Sequence, residues 1–94
     1  PLIRAVVIHP DFGERSSRSA ADRLEEAAGL ARALDLDVRA EEVVRLRKTT
    51  PATLFGTGKV EELAALIRAA EVEAAVIDDQ LTPIQQRNLE KAWD

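Results

Sequence analysis

A chain of 94 residues, 46% of them apolar, is long enough to bury one hydrophobic core and too short for two. Its formal charge of −4, from 13 basic and 17 acidic residues interspersed along the chain, argues against a basic arm that holds nucleic acid by bulk attraction. The lack of cysteine excludes a disulfide, a thiolate nucleophile and a cysteine-based zinc site, and a single histidine excludes a histidine cluster.

Only Phe12, Phe55 and Trp93 are aromatic, so the core must be built from Ala, Val, Leu and Ile through many modest contacts. No run reaches the roughly 18 apolar residues of a membrane span, and no leader pattern is present. A cytoplasmic location is the expectation.

The first strand is expected over Leu2 to Ile8, where Ala5, Val6, Val7 and Ile8 run together without polar alternation, as in a strand covered on both faces. Its expected stop is His9, because Pro10 has no N–H for the ladder. Pro10 to Ser19 reads as a loop. Ser19 is a good N-cap for a helix running to about Leu34, with Asp22 in its first turn. Ala20, Leu24, Ala27, Ala28, Ala31 and Leu34 make its inward stripe, and Gly29 is assigned to close packing.

The second strand is expected within Asp37 to Lys48, with Val43, Val44 and Leu46 as its apolar part and Arg45 and Arg47 on one wet face, which places it near a sheet edge. Ala52 to Gly58 reads as a loop anchored by Leu54 and Phe55. From Lys59 a helical period returns as Val60, Leu63, Ala64, Ile67 and Ala70. The third strand spans Ala74 to Asp78. Thr82, Pro83 and Gln85 then form a capping box for a last helix whose inward side is Leu89, Ala92 and Trp93.

Three strand–helix units imply right-handed crossovers and a three-layer α/β fold, a mostly parallel sheet of three strands with helices on both faces. Ending on a helix leaves a sheet edge poorly supported, so a fourth strand is expected to follow, and the exposed edge offers a route to self-association as a dimer.

Ligands of open parallel sheets gather beyond the carboxyl ends of the strands. His9 and Asp11 follow the first strand and Asp78 and Asp79 the third, while Gly56 to Lys59 opens the second helix. A nucleotide-responsive enzyme or regulatory domain using His9, Lys59, Asp78 and Asp79 is one reading, and ordinary turn chemistry is the other. Gly56-Thr57-Gly58-Lys59 is not a phosphate loop: Thr53 stands where the first glycine belongs and Val60 where the magnesium-binding hydroxyl belongs. The basic spots are Arg45, Arg47 and Lys48 after the second strand, and Arg15 and Arg18 in the first loop. No aromatic residue alternates with them, so phosphate contact, not base stacking, is the chemistry they offer beside plain solvation.

Two blocks carry a more specific signal. Pro51-Ala52-Thr53-Leu54-Phe55-Gly56-Thr57-Gly58-Lys59-Val60-Glu61-Glu62-Leu63 is followed by Asp78-Asp79-Gln80-Leu81-Thr82-Pro83-Ile84-Gln85-Gln86-Arg87-Asn88-Leu89-Glu90-Lys91. Together they resemble the N-terminal domain of the HflX family of ribosome-associated GTPases, and the likeness extends to the first strand and helix. The resemblance implies a longer protein in which a helical region and a GTPase domain follow this one. It also implies that GTP and Mg²⁺ are handled there, with no cofactor here, and that the large ribosomal subunit, through its rRNA, is the partner of a protein that splits or rescues stalled ribosomes. The matching motif residues are Gly56, Gly58, Lys59, Glu61, Glu62 and Leu63, then Asp79, Pro83, Gln85, Gln86, Arg87, Asn88, Leu89 and Glu90. Capping accounts for Gln85. Gln86, Arg87 and Asn88 have no evident role in the fold and are the leading candidates for docking another domain or rRNA.

Overall fold

A strand without a polar face needs cover above and below, and Ala5, Val6, Val7 and Ile8 are all 0% exposed in a computed structural model that describes residues 2–13 and 19–93. They lie in β1 (Ile3–Asp11), the middle strand of an all-parallel sheet of order β2-β1-β3, with β2 over Leu36–Arg45 and β3 over Ala74–Ile77. Helix α1 (Ala20–Ala33) packs Ala27, Ala28 and Ala31 against Val7 on one face. Helices α2 (Thr57–Ala70) and α3 (Pro83–Trp93) bring Val60, Leu63, Ile67 and Leu89 onto Val6, Ile8 and Val44 on the other. This is the three-layer α/β architecture expected from the strand–helix alternation.

Several boundaries differ from the expectation. β1 continues through Pro10, which pairs with Val44, to Asp11. Alternation along a parallel strand explains why the proline is tolerated. Ile8 offers its carbonyl to Asp78 on the β3 side, whereas Asp11 offers its own to Leu46 on the β2 side. Pro10 shares the parity of Ile8, so its missing N–H faces the β3 side beyond the last β3 residue, where no ladder remains to be broken. β2 starts at Leu36, earlier than the apolar residues suggest, because its first half, Asp37 to Glu42, is the charged half of an edge strand. A register shift lets Arg39 pass without a partner between the Ala5–Val38 and Val6–Ala40 pairs.

α1 is capped as expected, with the Asp22 N–H donating to Ser19 Oγ at 3.1 Å. It ends sooner, however. Leu34 is the C-cap and is 76% exposed, since Asp35 at φ 65° turns the chain back into β2 and rotates Leu34 off the inward stripe. α2 starts at Thr57, two residues before the apolar period begins, with Gly56 as its N-cap. Ala92 is exposed where an inward position was expected. The indole of Trp93 folds back instead and donates from Nε1 to the Val60 carbonyl at 3.0 Å.

Gly29 is the clearest departure. It lies on the exposed side of α1, and a Cβ there would meet nothing within 4 Å, so close packing does not explain it. A glycine inside a helix costs about 0.5–1 kcal/mol relative to alanine. Gly29→Ala is therefore expected to raise stability by about that amount, read as an upward shift of the urea midpoint. A midpoint unchanged or lowered would show that Gly29 has a role on α1 not visible in its contacts.

Candidate functional site

The carboxyl ends of all three strands lie at one end of the sheet, and the residues singled out from the sequence divide there into two groups. On the α1 face, His9 Nδ1 and Asp78 Oδ2 meet at 3.0 Å, joining the ends of β1 and β3. His9 is only 6% exposed, and a shallow depression over Asp78 is lined by Arg23, Glu26, Ala27 and Leu30. Lys59 does not join this pair. It belongs to α2 on the opposite face and pairs with Glu62. Asp79 Oδ1 accepts the N–H of Gln80, and Asp11 Oδ1 that of Gly13, so each carboxylate bonds within its own turn. Among the described residues no group of three or more His, Cys, Asp or Glu is placed to hold a metal ion.

On the α2/α3 face the two signature blocks fold into one unit. Thr50 and Leu54 exchange both backbone hydrogen bonds, at 2.9 and 2.7 Å, closing a tight turn through Pro51 to Thr53 at the start of the loop that Leu54 and Phe55 were expected to anchor. Thr53 Oγ1 donates to the Phe55 carbonyl at 2.6 Å. Leu54 sits at φ 69°, a left-handed conformation that costs a leucine about 1–2 kcal/mol. Its side chain is 2% exposed in the core, and both backbone groups are bonded to Thr50, which holds it there. Phe55 beside it is fully buried and packs on Trp93 with ring centroids 6.2 Å apart.

Two side-chain amides of α3 grip this turn. Gln85 completes the reciprocal capping box, its N–H donating to Thr82 Oγ1 at 3.1 Å and its Oε1 accepting from the Thr82 N–H at 3.0 Å. Its remaining amide group donates from Nε2 to the Thr50 carbonyl at 3.1 Å, so a buried polar residue is satisfied at both ends. One turn on, Asn88 Nδ2 donates to the Ala52 carbonyl at 2.9 Å. Asn88 thus has a structural role that the sequence did not reveal. Spacing carries part of the signal, since positions three apart share a helix face. The acceptors are backbone carbonyls, and no residue pattern announces them. Gln86 bonds Glu90 across one turn at 3.2 Å, and the Arg87 side chain is exposed with no partner among the described residues.

The cations sort in the same way. Arg4 pairs with Glu73, Arg32 with Glu41, Arg39 with Asp37 and Lys59 with Glu62. Among the described residues the side chains of Arg45, Arg47, Lys48, Arg68, Arg87 and Lys91 are exposed and show no hydrogen bond or ion pair. Arg15 and Arg18 lie outside the described residues. Gly56 caps α2 without a side-chain bond, Gly58 is exposed in its first turn, and Glu61 is exposed beside Glu62.

β3 is bonded on one side only, and a groove of about 480 Å³ runs between that edge and the helices, lined by Ile67, Val72, Ile77, Leu81, Leu89 and Trp93. The edge is bounded by Glu73 at one end and Asp78 and Asp79 at the other. Antiparallel pairing with a second copy would set Glu73 against Asp78, acids that already meet Arg4 and His9 within the chain. No helix among the described residues is long and apolar enough to cross a membrane.

A parallel three-layer domain with an amide-clamped turn is of the α/β class. Residues 21–94 match the family described as GTP-binding GTPase N-terminal. The chain belongs to that family, and its relatives are GTPases of the HflX type. It is 49% identical over 76 residues to GTPase HflX of Magnetococcus marinus, covering 80% of this chain and 18% of the relative. It is 36% identical over 92 residues to GTPase HflX of Lacrimispora saccharolytica, covering 97% of this chain and 21% of the relative. An archaeal relative, GTPase HflX of Methanocaldococcus jannaschii, is 34% identical over 70 residues, 74% of this chain and 17% of its own. The chain thus spans about a fifth of the length of these relatives.

The clamp makes separable claims on stability. Gln85→Ala removes the cap to Thr82 and one of two donors to the Thr50 carbonyl, which keeps the Leu54 N–H, an expected loss of about 1–2 kcal/mol in urea unfolding. Asn88→Ala removes one more exposed bond and is expected to cost about 1 kcal/mol. A Gln85→Ala loss below about 0.5 kcal/mol would mean the turn holds itself.

Proposed function

We propose that this chain is the N-terminal, ribosome-binding and regulatory domain of a cytoplasmic GTPase. That protein associates with the large ribosomal subunit and splits or rescues stalled ribosomes. GTP hydrolysis, with its Mg²⁺, belongs to a GTPase domain outside this chain, reached through a helical region. The observation that carries the reading is the family match over residues 21–94, together with the packing of both signature blocks into a single unit.

The local chemistry supports a binding role for the domain itself. The stretch that resembles a phosphate loop is the first turn of α2. Val60 fills the hydroxyl position and is buried in the core, and Lys59 is engaged by Glu62. A reading as a nucleotide-responsive enzyme loses its geometric support because His9 and Lys59 lie on opposite faces of the sheet. Binding to rRNA or to the protein's own further domains falls to the exposed parts of the signature, with Gly56, Gly58, Glu61, Asp79, Gln86 and Arg87 as the available groups.

Two measurements test this. Titration of the chain with labelled GTP or GDP is expected to show no saturable binding at micromolar concentrations, whereas the full-length protein binds. Co-sedimentation of the full-length protein with isolated large subunits is expected to fall at least tenfold when this domain is deleted. Undiminished sedimentation would remove the ribosome-binding role from the domain.

A further inference from the structure

We infer that α1 is the layer of this fold that opens. It undocks from the sheet and unwinds as one unit, uncovering Val7, Leu36, Val38 and Val76, while the sheet and the α2/α3 layer that carries the signature blocks stay assembled.

The first argument is the unequal depth of the two cores. α1 is buried through Ala27, Ala28 and Ala31, one methyl group each, with Leu24 partly buried beside them. The opposite layer buries Val60, Leu63 and Ile67 of α2, Leu89 of α3, and Leu54 with Phe55 ahead of α2. Hydrophobic stabilisation follows the apolar area removed from water, so a methyl group contributes a fraction of what a leucine or phenylalanine side chain does. Alanine lets α1 lie close over β1 and β2, but the larger side chains of its last turns add little, since Leu30 and Leu34 are 64% and 76% exposed.

The second argument is how each layer is fastened. Gln85, Asn88 and Trp93 of α3 donate to the carbonyls of Thr50, Ala52 and Val60, and so tie α3 to the signature turn and to α2. Between α1 and the sheet the ion pair is Arg32 with Glu41, whose side chains are 54% and 36% exposed, and Arg23 and Glu26 are engaged as well. Water competes with pairs at the surface, which therefore hold a helix down weakly. His9 and Asp78 join β1 to β3 and hold the sheet, not the helix above it.

The third argument is the helix itself. Fourteen residues are marginal as an isolated helix in water, and Gly29 in the interior weakens this one further. Once undocked, α1 therefore unwinds. Local opening of this kind starts where buried apolar contacts are fewest. A parallel sheet is stable only with both faces covered, so the opening uncovers an apolar strip across all three strands and leaves the amide clamp on the far side intact.

The test uses the full-length protein under native conditions and a thiol reagent, with modification read by mass spectrometry on the labelled peptide. Ala28→Cys on α1 is expected to react at least about tenfold faster than Ala64→Cys on α2, although both alanines are buried. Adding Asn88→Ala, which weakens the α2/α3 layer, is expected to speed Ala64→Cys about fivefold and to leave Ala28→Cys unchanged. Adding Gly29→Ala is expected to slow Ala28→Cys about two- to fivefold. Equal rates at the two positions, or an Asn88→Ala effect of the same size on both, mean that α1 opens only with the whole fold and overturn the inference. An Ala28→Cys rate unchanged by Gly29→Ala overturns the unwinding. Ala31→Cys serves where Ala28→Cys does not fold. Amide exchange in the unsubstituted protein is an independent check, expected to be faster over 20–33 than over 57–70, and the reverse order overturns the inference. No ribosome or nucleotide takes part, so the outcome is independent of the ribosome-binding reading.

Discussion

β1 has no polar side. Four consecutive side chains, alternately up and down, are removed from water, and a strand of that kind is stable only with helices on both faces and a strand along each edge. The central position of β1, the assignment of α1 to one face and of α2 and α3 to the other, and the charged character of β2 all follow from meeting that demand. So does the layout of the candidate site. With every strand parallel, all three strand ends and the amino ends of α2 and α3 emerge at the same end of the molecule. The two signature blocks, far apart in the chain, therefore become neighbours.

What joins those neighbours is polar. The Thr50–Leu54 turn carries a left-handed leucine, and its Thr50 and Ala52 carbonyls both accept from side-chain amides. A side-chain amide suits such a place because it donates to a carbonyl without carrying a charge that would resist burial. Gln85 does this while also capping α3, so the start of the helix and the position of the turn are set by one residue. Two functions of a single side chain leave little room for substitution. That economy explains how a glutamine is accommodated at a core position.

The layering was legible because it depends on the period of apolar residues, which the sequence displays directly: the run in β1, the alanine stripe of α1 and the Val60 to Ile67 stripe of α2. The capping box at Thr82 and the N-cap at Ser19 were legible for the same reason, being local chemistry at fixed spacing. What escaped depends on partners distant in sequence. The continuation of β1 through Pro10 is allowed only because β3 stops first. The amino half of β2 is made strand by pairing with β1 despite its charges. Asn88 reads as a free surface group until the Ala52 carbonyl is placed beside it. The paired and unpaired cations are likewise indistinguishable in the sequence, where Arg39 and Arg45 look alike.

The indole of Trp93 is the only one in the chain, and it is tied to α2 by the Val60 carbonyl and to the signature turn through Phe55. Its environment is therefore set by how α3 lies on α2 and over the β3 side of the sheet, not by α1. The protein carries a built-in optical probe of one of its two helical layers. Any event that shifts α3 changes the emission of this residue, and any event confined to the α1 face leaves it dark to the observer.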